Sequence, residues 1–141
     1  STIYRFYLDN TAYINNWDLV DSSALQIVGG YLFERKRDPL YELVYSASLW
    51  ERRIAIIATF YMIRRNEFDD TLKISAILLE DEEDLIHKAV GWMLREVGKR
   101  DMAAEERFLQ QRYKNMPRTM LRYAIEKFPE PLRKQYLLGE V

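Results

Sequence analysis

One short stretch of the chain places a tryptophan and an acid where they could act together: Trp17-Asp18-Leu19-Val20-Asp21. On a helix, positions four apart differ by about 40°, so Trp17 and Asp21 share a face while Asp18 turns away. A charge and a π-face are thereby offered to one ligand. Packing offers an alternative account, with Trp17 as a core anchor and Asp21 as a first-turn acid complementing the helix dipole. A second set is Lys88, Trp92, Arg95 and Lys99, at offsets of four, seven and eleven on one helical stripe. An aromatic ring flanked by cations suits nucleic acid, the cations meeting phosphates and the ring a sugar or base. The same residues also describe a half-buried Trp whose edge is covered by Lys and Arg stems.

Arginines form a third set. Arg53 lies one turn before Ile57 and two before Phe60, close to an apolar seam, whereas Arg52 is about 100° around the helix. Arg118 and Arg122 make an i, i+4 pair. Singly, each reads as part of a solvated face; several on one side of stacked helices would make a cationic groove. His87 has no partners at metal-ligand spacing. The acidic run Glu80–Asp84 lacks the ligand alternation and Gly of a calcium loop, so no metal is expected. Neither a P-loop nor a GxGxxG turn occurs.

The elements that must position these residues read as helices throughout. Asn15-Asn16 can cap a helix from about Trp17 towards Glu34, bent or closely packed at Gly29-Gly30. Pro39 suits the first turn of a short helix over Leu40–Ser46. Helices are expected over Trp50–Arg65 and, after Asp69-Asp70, over Thr71–Glu80. Another starts at Asp84, with Ile86, Ala89, Val90, Met93 and Val97 as its apolar stripe, and is expected to end on a left-handed Gly98. Asp101 can cap a helix through Arg112, Pro117 opens one through Phe128, and a short one follows Pro129 and Pro131. Connections of a few residues join antiparallel neighbours, in pairs the size of HEAT or armadillo units. The expectation is an all-α fold of helix pairs stacked as a solenoid, residues 1–141 forming one domain; a compact bundle is the alternative.

Composition narrows the function classes. With 141 residues, 48% hydrophobic and 30% charged, the chain is long enough for one well-cored domain. The absence of Cys removes disulfides, Cys-based zinc sites and thiol catalysis, and fits a reducing cytosol. No apolar run approaches a membrane span. The formal net charge of −1 argues mildly against nucleic acid, yet charge is segregated: acids at Glu80–Asp84, arginines at Arg52, Arg53, Arg64 and Arg65.

The segments NNWDLVDSSA (15–24), LWERRIAIIA (49–58), LIHKAVGWMLRE (85–96) and PRTMLRYAIEK (117–127) together resemble the DNA alkylation repair enzymes, the HEAT-like alkylpurine DNA glycosylases. The resemblance implies that Asp21 is the catalytic carboxylate. It makes Trp17 and Trp92 the indoles lining the lesion site, with Arg53 beside the DNA backbone there. Relatives lacking this set resemble non-catalytic binders of unusual DNA. Because the family carries further helices ahead of the Trp–Asp segment, the chain is expected to be the C-terminal portion of a longer protein. The implied substrate is duplex DNA holding cationic N3- or N7-alkylated purines, with phosphate contacts from Lys88, Arg95, Arg52, Arg118 and Arg122. A monomer without cofactor, metal or membrane is expected, in the bacterial cytosol. A non-catalytic binder of damaged or branched DNA, and a helical scaffold for protein partners, are the competing readings.

Overall fold

The computed structural model describes residues 2–9, 21 and 23–141. Trp17, the Asn15-Asn16 cap and the proposed start of their helix lie outside the described residues. The described residues are helical, without strands, as the sequence predicts. Helix α1 spans Thr2–Asp9. A π-helical stretch, Ala24–Gly29, continued by a turn of α-helix, Gly30–Leu32, forms α2. There follow α3 (Asp38–Val44), α4 (Leu49–Ile63), α5 (Asp69–Leu78), α6 (Asp84–Arg100), α7 (Met102–Gln110), α8 (Arg118–Ala124) and α9 (Glu130–Leu138), with a 3₁₀ turn at Tyr113–Asn115.

Helices α2, α4, α6 and α8 pack side by side in chain order, while α3 and α5 pair behind them. Each helix of the first layer is followed by one of the second, the arrangement of a helical solenoid. Helix α4 is central. Its residues Arg53–Thr59, Met62 and Ile63 are all buried, so it meets neighbours on nearly every side. Ser48 caps it, accepting from the backbone N–H of Glu51, whose carboxylate in turn accepts from Ser46 Oγ. Helix α6 buries the stripe read from its sequence, Ile86, Ala89, Val90, Met93 and Val97.

Several boundaries differ from expectation for physical reasons. Helix α6 does not stop at Gly98 but runs to Arg100, and Asp101 ends it by capping α7 through Ala104 N–H. Gly98 instead makes room for α7: a Cβ there would fall 1.9 Å from Glu105 Oε1. Helix α7 ends at Gln110 and α8 at Ala124, each two to four residues early, as tertiary turns take over. Gly29 and Gly91 are points of close approach, since a Cβ would lie 2.4 Å from Ala58 O and 2.5 Å from Tyr123 Cβ respectively. Helix α1 escapes the periodicity argument. Tyr4 and Tyr7 form its buried face, Tyr4 stacking on Tyr31 of α2 at 4.0 Å.

Candidate active site

The site is built where α2, α4 and α6 meet. Arg53, on the second turn of α4, is buried among apolar side chains, a costly place for a cation unless it is fully paired. Asp21, just ahead of α2, supplies the partner. Arg53 Nε donates to Asp21 Oδ1 and Nη2 to Oδ2, both at 2.8 Å, and Nη1 donates to the Leu85 carbonyl of α6. The guanidinium thus ties three helices together. Its side chain is 6% exposed and that of Asp21 is 16% exposed, so the carboxylate is the part of the pair that faces out.

It faces a cleft of about 490 Å³ lined by Asp21, Arg53, Leu85, Lys88, Trp92, Arg95 and Tyr123. Trp92 is held edge-on by Phe60 of α4, their ring centres 5.6 Å apart. Arg95 pairs with Glu126 beyond α8, and Lys88 pairs with Asp84 one turn back at 3.1 Å while remaining partly exposed. Helix α1 reaches the segment that carries Asp21. Ser23 Oγ donates to the Tyr7 hydroxyl at 2.9 Å. Burial pushes that hydroxyl's pKa up, the Ser23 hydrogen bond opposes the rise, and the Asp21 charge adds to it.

Five of the sequence-derived candidates therefore converge: Asp21, Arg53, Lys88, Trp92 and Arg95. The structure places the other arginines elsewhere. Arg52 is bound to Asp81 at 2.7 Å and to the carbonyls of Ser46 and Ala47. Arg118 donates to the Leu137 carbonyl on α9, and Arg122 is exposed on α8 outside the cleft lining. Tyr123, Phe60, Tyr7 and the Leu85 carbonyl were missed. Phe60 alone had a signal, its position two turns from Arg53; the others depend on how separate helices dock. Among the described residues, no group of three His, Asp or Glu could hold a metal ion, and no helix is long and apolar enough to cross a membrane.

The family model for DNA alkylation repair enzymes matches residues 1–128 of the 141. The chain belongs to that family. Comparison with curated proteins and with solved structures gives no match. Family membership covers α1 through the end of α8 and hence every described residue of the cleft, Tyr123 included.

Proposed function

We propose that the protein is a DNA glycosylase that hydrolyses the N-glycosidic bond of cationic N3- or N7-alkylated purines in duplex DNA. The observation that carries this reading is the single carboxylate of the cleft. Asp21 stands beside Trp92, oriented by two bonds from Arg53, and no second acid is present among the described lining residues. Most glycoside hydrolases need two carboxylates, one to protonate the departing oxygen. An alkylated purine already carries positive charge. When its bond to C1′ breaks, the electron pair neutralises the base, which leaves without a proton donor. The carboxylate's tasks are then to stabilise the oxocarbenium-like sugar and to hold the water that adds to C1′.

The geometry supports both tasks. A carboxylate offers about four lone-pair sites, and Arg53 takes one on each oxygen, leaving the others for water and sugar. Trp92 gives the cationic lesion an aromatic face, worth about 0.5–1 kcal/mol when exposed and ~2 when desolvated. Trp17, four residues before Asp21 in sequence, is assigned the second indole. Lys88 and Arg95 border the cleft as phosphate contacts; Arg52, Arg118 and Arg122 would reach DNA only outside it. Family membership supports alkylated DNA as the substrate.

The test is release of free methylpurine from dimethyl-sulfate-treated duplex. The wild-type chain is expected to release base, and Asp21→Asn to lose activity by on the order of 10²-fold or more while keeping its duplex affinity. Wild-type turnover by the Asn variant would remove Asp21 from the mechanism.

A further inference from the structure

Arginines that take no part in the cleft gather at one edge of the first layer. Arg35 follows α2, Arg64 and Arg65 follow α4, and Arg100 is the last residue of α6. All four are exposed, and among the described residues none forms an ion pair with a carboxylate. Of the acids in the pocket beside Arg35, Glu67 and Asp70 pair with Arg37, while Asp38 and Asp69 form no ion pair among the described residues. In place of acids, three of the four arginines lie on aromatic rings. Arg35 lies over Tyr31 at 4.0 Å, Arg64 over Phe60 at 4.5 Å, and Arg65 over Tyr61 at 3.5 Å and Phe33 at 5.2 Å. The row is continuous. Phe33 meets Tyr61 across α2 and α4, and Arg100 donates to Asn66 in the turn after α4 at 3.3 Å.

A cation at a helix C-terminus complements the helix dipole, and Arg35 and Arg65 do donate to the last carbonyls of their helices. Each spends one donor that way. Stacking fixes the plane of a guanidinium while leaving its remaining edge N–H groups directed outward, the presentation that suits phosphate oxygens. The edge also joins the cleft, because Phe60 carries Arg64 on one side and Trp92 on the other.

We propose that Arg35, Arg64, Arg65 and Arg100 form a phosphate track along which one strand of a DNA duplex runs on leaving the cleft. The inference rests on the reading that the cleft takes duplex DNA. It offers a way for a chain of net charge −1 to hold a polyanion: what a phosphate meets is the local row of cations, not the sum over the chain.

The experiment is the salt dependence of binding to an unmodified DNA duplex, followed by fluorescence anisotropy. Wild type is compared with Arg35→Ala/Arg64→Ala/Arg65→Ala and with Arg107→Ala/Lys114→Ala/Lys134→Ala, which removes equal charge from the α7–α9 side. Each phosphate contact contributes about 0.9 to the log–log slope, so the track variant should be shallower by roughly 2–3 and the control nearly unchanged. The triple Arg→Lys variant, which keeps the charge, should keep most of the slope. A wild-type slope in the track variant, or an equal change in the control, overturns the track. Base release from methylated duplex is measured in parallel. Release with an unaltered track slope leaves the glycosylase reading standing alone; a reduced slope without release leaves the track standing alone. No salt-dependent duplex binding by wild type removes both.

Discussion

Helix α4 carries the same dipeptide at both ends, Arg52-Arg53 and Arg64-Arg65, and the two pairs live in opposite surroundings. At the N-terminal end every guanidinium is matched. Arg53 meets Asp21 and the Leu85 carbonyl; Arg52 meets Asp81 and two further carbonyls. At the C-terminal end the arginines rest on Phe60 and Tyr61, without a carboxylate partner among the described residues. Neighbours, not residue type, divide their work. A buried, fully bonded arginine can orient a catalytic group but has little left to offer a ligand. A stacked, exposed one contributes little to the fold and keeps its donors for a partner.

The contrast predicts a graded series. Arg53→Ala strands a largely buried Asp21 and should cost about 3 kcal/mol in chemical denaturation, the low end for a broken buried pair because Asp21 is partly exposed. Base release should vanish with it. Arg53→Lys, which keeps charge but cannot span both oxygens, should recover more stability than activity; full activity would show that bidentate orientation is unnecessary.

Glu105 extends the comparison to a buried acid with the opposite problem. It is 1% exposed and its Oε2 has no hydrogen-bond partner among the described residues, and burial, with Glu106 nearby, pushes its pKa up to about 9 despite Arg95. The folded state therefore holds this proton more tightly than the unfolded chain. Its contribution is complete below the unfolded carboxylate range and is lost as pH rises towards about 9. From pH 5 to pH 7 it should amount to roughly 2–3 kcal/mol. Glu105→Gln should flatten that part of the stability profile; an unchanged slope would mean the carboxyl ionises without penalty. Smallest of all, Arg64→Ala and Arg65→Ala should each change stability by under about 0.5 kcal/mol. A larger loss would place them among the structural residues and narrow the contrast.

The helices were legible in the sequence because apolar spacing records which face is buried, and α6 buried the stripe expected of it, whereas α4 is buried on nearly every side. Their ends were less so. Gly98 has the composition of a stop signal, yet its meaning is set by Glu105 arriving from the next helix. Likewise Arg52 and Arg53 differ by one step in sequence, and the apolar seam correctly separated them. What no spacing could give was that Asp81 would absorb Arg52, or that Tyr123 would line a cleft opened by α2 and α6. Such facts depend on docking between helices. The aromatic rings beneath Arg64 and Arg65 were readable in principle, at i−4 from each arginine; only the structure shows these arginines without an acid partner among the described residues.

The π-helical stretch at Ala24–Gly29 sets the phase of Asp21 and Ser23 just before it. A π turn accommodates one more residue than the α-helical path between the same points. Gly29 is pinned against Ala58, so the downstream end cannot turn to compensate. Deleting one residue there, and so relaxing the stretch to α-helix, would swing Asp21 by about 100° about the helix axis and carry it off Arg53. The composition of the cleft would be intact and its chemistry lost. In this segment the number of residues is constrained as tightly as the identity of Gly29.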